Sequence, residues 1–307
     1  MLTGFEKILV TGGSGFIGSH VAEKLIQLGK DVTILDNLST GREENVPKGV
    51  KFVKGDLREI ELLKNVMKDI DLVFHEAANA STPKSVEDPK YDFDVNALGT
   101  LNVLSVSIRC GVKKVVYASS AAVYGEPKYV PIDEEHLTDP ISPYGVSKLA
   151  GERYCIAFHK SYGLRTVCPR FFNVYGSREN LETTLDEVVL YSNAILHNLP
   201  ITVLGDGNQT RDFVYVEDVA EAQLLAAERN EAEGEVINIG TGIETSINKL
   251  VETIEAVSDR KAIVHYAPPR KGDILRSFGD ISKAQRILDY KPKFTLMKGI
   301  EKLIKYL

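Results

Sequence analysis

The 307 residues predict an α/β protein: a doubly wound parallel sheet with a smaller carboxyl-terminal lobe. Two observations carry this. Short apolar, β-branched runs alternate with amphipathic stretches over the first half of the chain, and a glycine-rich turn joins the first such run to the first helix. Strand, helix, strand recurring this often implies right-handed crossovers and a parallel sheet covered on both faces.

In chain order, Lys7 to Thr11, Val32 to Asp36, Val50 to Val53, Leu72 to His75 and Lys114 to Ala118 read as buried strands. Between the first two, Ile17, Val21, Leu25 and Leu28 fall at helical spacing, and Gly29 stands where that helix should stop. Arg165 to Pro169 reads as a further strand. After it the rhythm becomes irregular: Ile201 to Leu204, Glu235 to Ile239 and Ala262 to Tyr266 are strand candidates, and Ser246 to Ala256 a helix candidate. Residues 1–170 are therefore expected to form a nucleotide-binding domain to which some later segments return. Residues 171–307 are expected mainly to form a lobe closing over the sheet's carboxyl edge.

Composition narrows the function. Lysines and arginines are interspersed among the acids, and the formal charge is −6, which gives nucleic-acid binding little support. No run approaches the ~20 apolar residues of a membrane span. Cys110, Cys155 and Cys168 form neither a CxxC pair nor an even disulfide framework, and the start MLTGFEKILVTGG lacks the pattern of a secretory signal. A cytoplasmic protein without a metal site is expected.

The turn after Lys7 to Thr11 reads Gly12, Gly13, Ser14, Gly15, Phe16, Ile17, Gly18. Missing side chains let backbone approach a pyrophosphate, and the amides and dipole of the next helix favour the anion. Asp36 ends the second strand about twenty residues on, where a carboxylate can accept from ribose hydroxyls. It would repel a phosphate at that ribose, so it argues for NAD; it also suits the start of a turn with Asn37, and both can hold. Asp56, by position alone, is as well explained as a surface turn acid.

In SPYGVSK, Tyr144 and Lys148 are four apart and share one face of a helix. A phenol is a poor base near pH 7, so the pairing makes chemical sense if a neighbouring ammonium lowers its pKa. Ser120, at the end of a strand-like run, can orient a substrate oxygen and share its proton.

Together, TGGSGFIG, Asp36-Asn37, VYASSAAVYG, SPYGVSK and RFFNVYG resemble the extended short-chain dehydrogenase/reductases with a Rossmann fold, specifically the UDP-galactose (UDP-glucose) 4-epimerase branch of the NAD-dependent epimerase/dehydratases. The similarity runs from about Lys7 to Tyr290. It implies a catalytic triad of Ser120, Tyr144 and Lys148. Around NAD it implies Gly12, Gly15, Phe16, Ile17, Gly18, Asp36, Asn37, Asp56, Leu57, Ala77, Asn96 and Phe172, besides Tyr144 and Lys148. For the UDP-sugar it implies Lys84, Asn173, Val188, Leu204, Arg211, Arg270, Asp273 and Ser277, besides Ser120 and Tyr144. Arginine forks suit phosphate oxygens, although Arg211 alone is also explained by a surface ion pair with Asp212 or Asp218. The family's usual homodimer is the expected assembly.

Fold alone leaves the reaction open among epimerases, dehydratases, decarboxylases and reductases. Dehydratases of this type place acids immediately after the catalytic hydroxyl; here Ala121 and Ala122 follow, and methyl groups cannot exchange protons. The resemblance thus implies a UDP-glucose/UDP-galactose 4-epimerase. A small residue at Ser277, if it is not merely solvent-facing, leaves room for an N-acetyl group, and Ser81 to Ser85 resembles the N-acetylhexosamine epimerases, so UDP-GlcNAc/UDP-GalNAc is a second pair. UDP-glucuronate epimerisation, lasting reduction or dehydration, and a catalytically idle dinucleotide sensor are the alternatives. The chain departs from the family pattern at Leu181 to Glu187, whose acids would sit poorly beside a diphosphate unless turned away.

Overall fold

In a computed structural model that describes residues 2–269 and 274–307, strands β1 (Lys7–Thr11), β2 (Asp31–Asp36), β3 (Lys51–Lys54), β4 (Leu72–His75), β5 (Lys114–Tyr117), β6 (Ser119–Ser120) and β7 (Arg165–Phe171) follow one another before the carboxyl lobe begins. Beyond them lie β8 (Asn173–Tyr175), β9 (Pro200–Leu204), β10 (Thr210–Arg211), β11 (Phe213–Tyr215), β12 (Val236–Ile239), β13 (Thr245–Ser246) and β14 (Ile263–Ala267). The main sheet has the order β12-β7-β5-β4-β1-β2-β3, with β6 on β7, and every pairing in it is parallel.

Side-chain alternation explains why both faces are covered. Leu9, Leu35, Val73 and Val115 join a core shared with Leu63, Val103, Leu104, Cys155 and Phe158, which come from helices on one face. Their neighbours Ile8, Val10, Ile34, Leu72, Phe74 and Val116 point the other way, into a core with Val21, Leu25 and Leu224. The first helix, Phe16–Gln27, ends as expected: Gly29 adopts φ +74°, and its amide bonds back to the Ile26 carbonyl.

The strand order reverses between β1 and β4, which opens a crevice outside the carboxyl ends of these strands. The carboxyl lobe builds on helices Glu187–Leu196, Ile247–Ser258 and Leu296–Tyr306, packed around Ile201, Val203, Leu250, Ile254, Ile300 and Leu303. Two segments beyond residue 170 belong to the main layer: helix Val216–Glu228 packs on the sheet, and β12 pairs with β7 at its edge. No helix among the described residues is long and apolar enough to cross a membrane.

Candidate active site

A cavity of about 290 Å³ lies at the reversal point. It is lined where strands end: Gly12 after β1, Asp36 closing β2, Asp56 beyond β3, Glu76 and Ala77 after β4, and Ser119 after β5. Gly15, Phe16, Ile17, Gly18, Asn37, Leu57, Lys84, Tyr144 and Lys148 complete the set of expected residues in its wall.

The glycine turn is there by steric necessity. Gly12 has φ +69°, and a Cβ on it would sit 2.6 Å from the Ala77 amide nitrogen; a Cβ on Gly18 would collide with the Gly12 carbonyl. Gly15 then starts helix Phe16–Gln27 without a side-chain cap, so its first amides face the cavity free of any competing hydroxyl or carboxylate. Asp36 is held by two amides, Ser14 N to Oδ2 at 3.0 Å and Leu38 N to Oδ1 at 2.8 Å. Its turn with Asn37 and its exposure to the cavity coexist. Asn37 in turn donates to Asp56 at 2.9 Å, and Arg58 donates to both Asp56 oxygens at 2.9 and 2.8 Å. That guanidinium holds the Asp56 carboxyl down at about 2.

On the opposite wall, Ser142 caps helix Pro143–Tyr162 by accepting from Gly145 N, and Pro143 takes the first turn. Tyr144 and Lys148 consequently project one turn apart from the same face into the cavity. Ser120 does not line the cavity, but its side chain meets the Tyr144 hydroxyl. Burial pushes the phenol up, and Ser120 only partly offsets this. Burial also discourages the Lys148 ammonium, bringing it to about 8.

Three of the expected residues do not line this cavity. Asn96 is 1% exposed and is not in the cavity lining; it donates to the Asn79 carbonyl, Asp92 and Ser147, each at 3.0 Å, and so fixes Asn79, which does line it. Phe172 packs with Val123, Tyr124 and Ile132, while Phe171 faces the cavity, as alternation along an extended chain dictates. Val188 is wholly buried in the carboxyl-lobe core and has no surface to offer a ligand.

Asn173, Leu204, Arg211 and Ser277 lie in the carboxyl lobe and do not line this cavity. Asn173 opens β8, donating from its amide to the Asp212 carbonyl at 3.0 Å, and the Leu204 carbonyl at the end of β9 accepts from Gln209 at 2.7 Å. The Ser277 amide donates to Thr210 beside Arg211, and Ser277 is 9% exposed, so it does not face solvent. Arg211 donates to the carbonyls of Thr210 and Ile274, both at 2.8 Å. It has no ion pair with Asp212, which accepts from Thr241 and Gly242, or with Asp218, which accepts from Lys293 N and Phe294 N. Arg270 and Asp273 lie outside the described residues.

Of the acids in the divergent 181–187 segment, Glu182 is exposed and Asp186 is turned inward, beside Glu179 just ahead of the segment. Asp186 caps helix Glu187–Leu196 by accepting from Val189 N at 2.9 Å, and Glu179 accepts from the Thr184 hydroxyl. Burial drives both carboxyls upward, Glu179 to about 7, which favours their uncharged forms.

Glu76 is one of several lining residues that motif reading missed, with Asn79, Ser119 and Phe171 among the others. For Glu76 the only signal was a carboxylate directly after the apolar strand LVFH, at the sheet's carboxyl edge.

A doubly wound sheet with a glycine turn opening onto an uncapped helix, a carboxylate ending β2 and a Tyr–Lys pair across the crevice defines a nucleotide-cofactor enzyme of the short-chain type. Residues 8–240 match the family model of the NAD dependent epimerase/dehydratase family. A putative UDP-glucose 4-epimerase of Methanocaldococcus jannaschii is 43% identical over 302 residues, covering 98% of both chains. Among solved structures, the UDP-glucose 4-epimerase of Thermotoga maritima with UDP-glucose superposes with a TM-score of 0.94 at 39% identity, and that of Thermus thermophilus with NAD at 0.91 and 40%; each match covers 98% of both chains. A UDP-N-acetylglucosamine 4-epimerase of Methanobrevibacter ruminantium reaches 0.93 at 37% identity, again over 98% of both. The chain belongs to the NAD-dependent epimerase/dehydratase family.

Proposed function

We propose that this chain is an NAD-dependent UDP-sugar 4-epimerase that interconverts UDP-glucose and UDP-galactose. The observation that carries the reading is one cavity walled on one side by the glycine turn and Asp36 and on the other by Tyr144 and Lys148, at the switch point of the sheet. The names of its 36–43% identical relatives support it. NAD, when bound, reversibly accepts the hydrogen of sugar carbon 4. Gly12, Gly15 and Gly18 bring backbone to its phosphates, and Asp36 accepts from the adenosine ribose. Tyr144 takes and returns the proton of the sugar 4-hydroxyl, Ser120 orients that oxygen, and Lys148 tunes the phenol. Arg211, Asn173 and Ser277 hold the nucleotide from the carboxyl lobe. After Ser120 the chain enters a tight turn, Ala121–Val123, that carries no acid or base, which argues against elimination of water.

The small size of Ser277 favours a second substrate pair, UDP-GlcNAc and UDP-GalNAc. Exposed Phe93, Leu98, Val146 and Tyr154, on two segments packed side by side, support a homodimer through these helices, which sedimentation would test. Free Cys110, Cys155 and Cys168 suit the cytoplasm.

The test is to incubate purified protein separately with UDP-galactose, UDP-GalNAc and UDP-glucuronate, resolve the products by chromatography and follow nicotinamide absorbance. UDP-glucose should form from UDP-galactose without net absorbance change. A stoichiometric change would make the enzyme a dehydrogenase or reductase, and no turnover despite bound NAD would make it a sensor.

A further inference from the structure

Helix Pro143–Tyr162 carries a third polar group in line with the Tyr–Lys pair. Tyr144, Lys148 and Glu152 stand four residues apart on successive turns of one face; the first two line the cavity, while Glu152 is wholly buried and absent from its wall. Glu152 Oε2 accepts from the Ser119 hydroxyl at 3.0 Å and from Arg170 Nε at 2.8 Å, and its Oε1 accepts from Arg170 Nη2 at 2.6 Å. One carboxylate thus joins three elements that each bring a residue to the site: the helix with Tyr144 and Lys148, β6 with Ser120, and β7 with Phe171.

An ion pair out of water is a poor way to gain stability, because desolvating two charges offsets most of their attraction and packed apolar residues often serve as well. What apolar residues cannot supply is direction. The guanidinium fixes the carboxylate by two bonds, and the carboxylate fixes Ser119 by another. Arg170 is anchored in turn: its guanidinium lies over the Tyr124 ring, 4.6 Å from the centroid, and the Tyr124 hydroxyl donates to Asn238 of β12 at 2.7 Å. Direction matters most at β6, which is two residues long and pairs with β7 as Ser119 against Arg170 and Ser120 against Phe171. Ser120 follows Ser119 directly, so holding one hydroxyl holds the other.

We propose that Glu152, anchored by Arg170, is a positioning residue for the reaction: through the Ser119 hydroxyl it sets where Ser120 stands relative to Tyr144 on its own helix. The proposal rests on the roles given above to Ser120 and Tyr144.

Ser119→Ala cuts the tie but leaves the Glu152–Arg170 bonds in place, so the fold should survive. Its kcat with UDP-galactose should fall roughly tenfold while KM and NAD content stay near wild type, since a misplacement of about 1 Å costs up to about 10²-fold. Ser119→Thr keeps the hydroxyl and should restore most of the rate. Glu152→Met combined with Arg170→Met cuts the tie by a second route; it should melt above Arg170→Met alone, yet its kcat should remain low. Wild-type kcat in both Ser119→Ala and the double variant would overturn the proposal, leaving the ion pair a matter of stability alone. Equal losses in Ser119→Ala and Ser119→Thr would overturn it as well, and these two variants decide the matter if the double variant does not fold. Absence of epimerase activity in the wild type would instead defeat the functional reading beneath it.

Discussion

Gly12 and Gly29 share nearly the same left-handed backbone, φ +69° and +74°, but not the same surroundings. Nothing lies within 4 Å of a Cβ built on Gly29, whereas on Gly12 it meets Ala77 N at 2.6 Å, Ala77 Cα at 2.8 Å and the Glu76 carbonyl carbon at 3.0 Å. Gly29→Ala should therefore lose only the left-handed penalty, about 1–2 kcal/mol. Gly12→Ala adds overpacking against backbone that cannot rotate away, about 1–3 kcal/mol more. At roughly 2 °C per kcal/mol for a chain this long, the melting temperature should fall by about 2–4 °C for Gly29→Ala and about 4–10 °C for Gly12→Ala. The strain can be relieved only by moving the turn away from the strand β4 terminus, so Gly12→Ala should also be purified with little bound NAD, and added NAD should stabilise it less than it does Gly29→Ala. Thermal melts with and without NAD decide the matter. Equal losses in the two variants, with NAD content unchanged, would refute the argument that contact with Ala77 fixes the turn.

Tyr144→Phe should retain NAD and lower turnover by about 10²–10⁴, the usual worth of one acid–base group; a wild-type rate would place proton transfer elsewhere. Asp36→Ala removes the acceptor for Ser14 N and Leu38 N and the charge facing the cavity, so NAD should bind more weakly and NADP be less excluded; unchanged preference in binding titrations would end its ribose role. Arg170→Met leaves Glu152 buried without its two guanidinium bonds of 2.8 and 2.6 Å, at a cost of about 3–5 kcal/mol in denaturant unfolding, and Glu152→Met in the same chain should recover part of it. Asp56 has a folded pKa depressed from 3.8 to about 2, so its contribution is full above about pH 4 and is lost as pH falls toward 2. Asp56→Asn should melt below wild type at pH 7 and coincide with it near pH 2; a gap independent of pH would mean that the charge is irrelevant.

The strands of the main sheet and the glycine turn were legible because their signals are local: apolar runs, a helix period, glycines between them. Even there the bounds moved by a residue or two, as at Lys51–Lys54. Tyr144 and Lys148 were legible because four residues on a helix fix a shared face. Phe171 rather than Phe172 lines the cavity because adjacent residues of an extended segment face opposite ways, which a motif alone does not show. The burial of Asn96 and Val188 was not legible, because family position says nothing of depth. The competing explanation of Arg211, a surface ion pair with Asp212, is not met, because Asp212 turns inward to Thr241 and Gly242, about thirty residues distant along the chain. Short pairs such as β8 with β11 lack any periodic signal, since three residues are too few to show one.

The pairing of β12 with β7 has a practical consequence for anyone wishing to divide this molecule. A fragment ending near residue 170 would keep its glycine turn but leave β7 as a bare sheet margin, its amides and carbonyls open to any passing chain. Such a fragment should self-associate rather than serve as a miniature cofactor carrier. Because the polypeptide comes back to finish the layer it began, the two halves must be made, and lost, together.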